Sequence, residues 1–170
     1  MSDNQTMTIV IPAYNEEHQL RDCLDSIAAQ TQAPDEVLVV DNNSTDNTVE
    51  VAKSYPFVKV ITAKKQGVVY GRNKGFNAVT CDLIGRIDAD SKLDKTWVAN
   101  IKKAFQDSEV TAVTGPAYFY DMPLAPANYL ADHAFKAPLY KLDKKFPFLF
   151  GTNMAIRKTA WEKVGAGTCV

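Results

Sequence analysis

Two aspartates separated by one residue, Asp88-Ala89-Asp90, follow the apolar run Leu83-Ile84-Gly85-Arg86-Ile87. Carboxylates spaced this way at a strand end can converge on a hard divalent cation such as Mg2+ or Mn2+. Such ions prefer oxygen ligands and commonly share their shell with substrate phosphates. The plainer reading is that Asp90 or Ser91 caps the segment that follows. Two further polar clusters also come directly after apolar runs: Pro12-Ala13-Tyr14-Asn15-Glu16 and Asp41-Asn42-Asn43-Ser44-Thr45-Asp46. An aspartate in such a place can accept a hydrogen bond from a base imide, and a tyrosine offers a stacking face. Turn and capping chemistry accounts for Ser44 and Asp46, whereas Asp41, at the very end of its run, reads as functional. In Gly71-Arg72-Asn73-Lys74-Gly75, Arg72 brings a planar multidentate donor suited to phosphate, and the glycines allow close backbone approach. On spacing alone, Arg72 and Lys74 read as solvent-exposed. Neither GxxxxGK[ST] nor GxGxxG is present, and no GxSxG elbow supports serine hydrolysis. His18 and His133 fit no metal or triad pattern, and His18 reads as an exposed residue of the first helix.

These clusters need a scaffold that brings strand ends together. Thr8-Ile9-Val10-Ile11 is β-branched and closed by Pro12, as a buried strand would be. Leu20, Cys23, Leu24, Ile27 and Ala28 follow helical spacing. Val37-Leu38-Val39-Val40 is uninterrupted and suits a strand covered on both faces. Ser44, Thr45 and Asp46 offer N-caps for a short helix carrying Val49 and Ala52. Val58–Ile61 and Leu83–Ile87 read as further strands, with a helix over Tyr70–Ala78 between them. Trp97, Ile101 and Phe105 stand one helical turn apart, and Val110–Val113 is another strand candidate. Such alternation predicts an α/β three-layer sandwich with a mostly parallel central sheet, in which ligands sit beyond the carboxyl ends of the strands. The Pro- and aromatic-rich stretch Tyr118–Phe150 breaks the rhythm and reads as an excursion over the active face.

Composition narrows the function classes. The 170 residues are 46% hydrophobic and 23% charged, with 19 Lys+Arg against 20 Asp+Glu and a formal charge of −1. That balance excludes a broad basic nucleic-acid surface and an acidic tail, and leaves local patches open. No stretch is apolar for long enough to span a bilayer. The N-terminus carries no basic or apolar signal region. Cys23, Cys81 and Cys169 are odd in number and widely spaced, which argues against a disulfide scaffold or a zinc site and for a reducing cytoplasm.

Taken in order, five segments resemble the family 2 glycosyltransferases of GT-A fold: Thr8–Glu17, Val39–Thr48, Gly71–Gly75, Ile87–Asp90 and Gly151–Arg157. The resemblance runs from Thr8 to Gly165. It implies one GT-A domain over 1–170, with a nucleotide-sugar-binding part at about 7–115 and an incomplete acceptor-side part at about 116–170. It also implies a UDP- or GDP-sugar donor, a divalent cation bridging its diphosphate, a saccharide, lipid-linked or other hydroxyl acceptor, and inversion at the anomeric carbon. By position, Pro12, Ala13, Tyr14 and Glu16 would line the nucleotide pocket, with Asp41 at the base and Arg72 near the diphosphate. Asp88 would lie near the ribose or the metal, and Asp90 would be the principal metal ligand. Gly151, Thr152 and Asn153 would face the donor sugar and acceptor.

Family members supply their general base from an acidic motif downstream of the segment matching Gly151–Arg157. The expectation is therefore a base beyond Val170 and a chain cut short, with Glu162 on a helix surface. Asp121, Asp132 and Asp143 are substitutes that nothing in their spacing separates. Lys136, Lys141, Lys144 and Lys145 would suit a lipid-phosphate acceptor, although a solvated lysine face on a packed loop is the plainer reading. Two alternatives remain: a non-catalytic nucleotide-sugar-binding module, and a nucleotidyltransferase. The second is weakened because no Gly-rich basic loop follows the first strand. The place of action expected is the cytoplasm or the inner face of its membrane.

Overall fold

The computed structural model describes residues 5–115, 134 and 151–164. In chain order its elements are β1 (Met7–Ala13), α1 (Gln19–Ala28), β2 (Glu36–Asp41), α2 (Thr48–Lys53), β3 (Val58–Thr62) and α3 (Val68–Ala78). They continue with β4 (Leu83–Ile87), α4 (Trp97–Ala104), β5 (Ala112–Thr114), β6 (Asn153–Arg157) and α5 (Lys158–Val164). The six strands form one sheet in the order β3-β2-β1-β4-β6-β5. The β1–β2, β1–β4 and β2–β3 pairings are parallel, while β6 runs antiparallel to both β4 and β5. The expected α/β sandwich with a mostly parallel sheet is the fold, and the segment 153–157 supplies its antiparallel strand.

Period-two alternation explains why the central strands are apolar without a break. Ile9 and Ile11 of β1, Val37 and Val39 of β2 and Leu83 and Ile87 of β4 face one way, packing against Leu20, Leu24 and Ile27 of α1 and Trp97, Val98 and Ile101 of α4. Val10, Leu38, Val40, Ile84, Met154 and Ile156 face the other way, against Phe76 of α3, with Trp161 of α5 packed alongside. Each fully buried aliphatic side chain contributes about 1.5–3 kcal/mol relative to exposure, so a one-residue slip of β1 would exchange two good faces for two poor fits. Helix α1 buries Leu20, Cys23, Leu24 and Ile27, the spacing expected of its apolar stripe. Helix α3 lies directly on β1 and β2 at Gly75, where a Cβ would stand 2.3 Å from Val10 Cγ1 and 2.9 Å from Val40 Cγ2. Its first turn begins at Val68, two residues before the expected start.

The topology determines where a ligand can sit. From β1 the chain winds outward through β2 to β3, then crosses back through α3 to β4 on the other side of β1. The β1/β4 junction is thus a topological switch point, and crevices open there beyond the carboxyl ends of the strands. Pro12-Ala13-Tyr14 and Asp88-Ala89-Asp90 are the residues at those two ends. No helix among the described residues is long and apolar enough to cross a membrane.

Candidate active site

A cavity of about 450 Å³ opens at the β1/β4 switch point. Of the residues expected at the site, it is lined by Pro12, Ala13, Tyr14 and Glu16 from the end of β1 and by Asp88 and Asp90 from the end of β4. Tyr14 is 46% exposed, leaving a free aromatic face on the cavity rim. The loop carrying it is held in place by side-chain bonds to the β2–α2 loop. Asn15 adopts a left-handed conformation (φ 56°), which asparagine tolerates better than most residues. Its backbone N–H donates to Ser44 Oγ at 3.1 Å, and its side-chain oxygen accepts from the Thr45 N–H at 2.8 Å. Glu16 N–H donates to Thr48 Oγ1 at 2.8 Å and Glu17 N–H to Asp46 Oδ2 at 3.1 Å. Ser44 and Asp46 therefore do turn and capping work. Asp46 Oδ1 also takes the Thr48 N–H at 3.0 Å, although the residue preceding the helix is Asn47.

Opposite Tyr14, the β3–α3 loop contributes Gln66, Gly67 and Val68, and α3 contributes Gly71. Asn42, which also lines the cavity, holds this loop. Its Nδ2 donates to the carbonyls of Ala63 (3.1 Å) and Lys65 (2.8 Å), and its Oδ1 accepts the Gly67 N–H at 2.6 Å. Asn42 is only 5% exposed, so its full set of bonds matters energetically. Asp41 is buried beside it and accepts the Ser44 N–H at 3.1 Å. Asp41 closes the turn next to the cavity and is not among its lining residues.

The acidic wall is electrostatically crowded. Burial pushes the Asp88 carboxyl above its ordinary value; Arg86 opposes this through a 2.8 Å ion pair, and the Asp90 carboxylate adds to it. Glu16 is raised as well, first by burial and then by the carboxylates of Asp90, Asp46 and Asp88. Behind them, burial among these same acids drives the Cys23 thiol up to about 12, so it is a packing residue there and not a nucleophile. Crowded carboxylates with oxygen-only donors fit a hard divalent cation, which would relieve their repulsion. Among the described residues no set of three or more His, Cys, Asp or Glu is gathered to hold an ion by itself. A cation bound by Asp88 and Asp90 would take its remaining oxygens from ligand phosphates and water, as Mg2+ commonly does.

Other expected residues sit outside the lining. Arg72, in the middle of α3, donates through Nε (3.0 Å) and Nη2 (2.9 Å) to Asn73 Oδ1 and lies 5.9 Å from the centre of the Trp161 ring. Asn153 begins β6, and its side-chain oxygen accepts the Trp97 indole N–H at 2.7 Å. Thr152 is exposed, and Gly151 packs against the Arg86 guanidinium. The aromatic stretch, with Asp121, Asp132, Asp143 and its four lysines, lies outside the described residues, as does Cys169. His18 and Glu162 are exposed. Sequence reasoning missed Arg86 and Asn42 as cavity residues. The available signals were a charged residue inside an otherwise apolar strand and an asparagine directly beside Asp41.

A family model described as glycosyl transferase family 2 matches residues 8–165. The chain belongs to glycosyl transferase family 2. Among curated relatives, this family 2 chain is 31% identical over 100 residues to the uncharacterized glycosyltransferase YibD of Escherichia coli, covering 56% of the chain and 29% of that protein. It is 27% identical over 174 residues to the O-antigen chain rhamnosyltransferase RfbN of Salmonella typhimurium, covering 93% of the chain and 54% of the relative. It thus spans about half or less of the length of these relatives. Its fold is GT-A: a mannosyltransferase of Pyrobaculum calidifontis, solved with GDP-Man and Mn2+, superposes with a TM-score of 0.76 at 24% identity over 95% of this chain and 47% of that one. Staphylococcus aureus TarS 1–349, solved with UDP, superposes with a TM-score of 0.63 at 21% identity over 70% of this chain and 38% of that one.

Proposed function

We propose that this chain binds a nucleoside-diphosphate sugar, a UDP- or GDP-sugar, together with Mg2+ or Mn2+ in the β1/β4 cavity, as the donor-binding part of a glycosyltransferase. The observation that carries the reading is the meeting of an open aromatic ring, Tyr14, with two carboxylates, Asp88 and Asp90, in one cavity at the switch point. Tyr14 stacks the base, and Pro12 and Ala13 shape the pocket floor. Asp41, buried one residue from the wall, orders the loop and the base edge. Asp90, with Asp88, holds the cation, which offsets charge developing on the departing diphosphate. Glu16, close enough to feel both aspartates, adds to the negative field that retains a cation there. Arg72 lies behind the α3 wall and Gly151, Thr152 and Asn153 at the donor-sugar side. The relatives named as glycosyltransferases and the neighbours solved with GDP-Man and UDP support this reading.

The reaction is transfer of the glycosyl group to an acceptor hydroxyl with inversion, at a cytoplasmic site. The attacking oxygen forms the new bond to the anomeric carbon as the bond to the diphosphate oxygen breaks. The hydroxyl proton passes to a general base. Calorimetric titration with UDP, GDP and their sugars, with and without Mn2+, tests the proposal. Cation-dependent binding of at least one is expected, weakened tenfold or more by Asp90→Ala. Binding that needs no cation, or that is unchanged in the variant, overturns the assignment of Asp90.

A further inference from the structure

Among the described residues, Arg86 is a largely buried cation with one nitrogen left without a partner. Alternation along β4 puts Ile84 and Arg86 on the same face of the sheet; Ile84 is fully buried in the second core, and Arg86 stands one pair closer to the ligand edge. Its side chain is only 12% exposed, yet it lines the cavity. Among the described residues its one bonded partner is Asp88, through Nη2 at 2.8 Å, while Nε is buried with no partner. A guanidinium carries five N–H donors and cannot shed its proton in a protein, and buried donors almost always find an acceptor. The chain also makes room for this group: a Cβ on Gly151 would stand 1.8 Å from Arg86 Nη1. Arg72, by contrast, commits two of its nitrogens to Asn73 and its face to Trp161, outside the lining.

The charges around the cavity need such a group. Glu16, Asp88 and Asp90 face the space that a diphosphate would enter, and they repel it. A divalent cation offsets part of that repulsion; a fixed guanidinium beside it offsets more and adds directional donors matched to phosphate oxygens. We infer that Arg86, seated on Gly151 and clamped by Asp88, is the residue of the cavity wall that binds the donor's diphosphate. The inference deepens the proposed function and rests on its reading of the cavity.

The test compares UDP and GDP, each with Mn2+, against uridine and guanosine on the 170-residue chain, with NMR titration for the weaker nucleosides. Arg86→Gln is expected to weaken diphosphate binding on the order of 10- to 100-fold, the effect of losing a charge-assisted hydrogen bond. Nucleoside binding should stay within about twofold, which also shows that the cavity remains folded. Arg86→Lys, which keeps the charge and loses the fork, should fall between. Gly151→Ala leaves Arg86 in place and pushes its guanidinium off its seat, so it should shift binding in the same direction and keep the inference testable if Arg86→Gln does not fold. Unchanged diphosphate affinity in Arg86→Lys and Gly151→Ala overturns the inference, as does an equal loss for diphosphate and nucleoside. If the unaltered chain binds neither UDP nor GDP, the proposed function fails instead.

Discussion

Gly75→Ala tests how closely α3 is seated against the sheet, and the effect expected from the structure has the opposite sign to the effect expected from helix propensity. An alanine in a helix interior is favoured over glycine by about 0.5–1 kcal/mol. Here the new Cβ would stand 2.3 Å from Val10 Cγ1 and 2.9 Å from Val40 Cγ2. Both valines are fully buried, in central strands, and β-branched, so their freedom to turn away about χ1 is restricted. Overpacking of a close-packed interior costs about 1–3 kcal/mol, and two rigid contacts put this case in the upper half of that range. The net expectation is a loss of about 1–2.5 kcal/mol, or roughly 2–10 °C in Tm for a chain of this size. Urea denaturation followed by circular dichroism measures it. Because Gly71, one turn earlier on α3, lines the cavity, the same displacement should weaken UDP or GDP binding. Val10→Ala removes the nearer methyl, so in a double-mutant cycle the pair should cost less than the sum of its parts. A Gly75→Ala protein as stable as the parent, or more stable, would refute the close seating of α3 and with it the position of the cavity wall.

Other perturbations follow from the same contacts. Asn42→Ala removes three hydrogen bonds that hold the β3–α3 loop; denaturant titration should show a loss of about 2–3 kcal/mol, with weakened nucleotide binding. Asp35 accepts from Lys102 Nζ at 2.7 Å and from the Met7 N–H at 2.8 Å. Burial raises its pKa, but these two bonds outweigh burial and hold it below the usual aspartate value. Its stabilisation is therefore fully present above the unfolded-state pKa and is lost as pH falls through the lower folded value. Asp35→Asn should cost about 1 kcal/mol at pH 7, a figure kept low because the carboxylate is 37% exposed. In Tm measured against pH, the gap between variant and parent should close below about pH 3.8.

Much of the scaffold is legible in the sequence because its signals are local. The runs Thr8–Ile11, Val37–Val40 and Leu83–Ile87 need only period and β-branching to be read as buried strands, and Leu20, Cys23, Leu24 and Ile27 show their helical stripe directly. The cavity is legible to the extent that strand ends carry it, which is why Tyr14, Asp88 and Asp90 stand out. What escapes is the contact set made at long sequence separation. Asn42 is a turn-former by type, and only the fold shows that its amide reaches Ala63, Lys65 and Gly67. Arg86 lies within a strand and reads as one more sheet residue until Gly151, 65 positions later, is packed against it. Arg72 has the right chemistry for phosphate, but helix α3 turns it toward Trp161. Residue type suggested a phosphate ligand in Arg72 alone; position in the fold favours Arg86.

A cation and a nucleotide are proposed to meet at the carboxyl ends of β1 and β4. Paramagnetic Mn2+ tests this most directly, by broadening amide NMR signals near the metal. In the presence of UDP or GDP, strong broadening is expected at Tyr14–Glu16 and Asp88–Asp90. Thr6 and Asp82, bonded to each other at the opposite edge of the same strands, should keep sharp signals. The pattern should depend on the nucleotide and fade in Asp90→Ala. Broadening centred elsewhere, or equal at both edges of the sheet, would contradict a metal site at these strand ends.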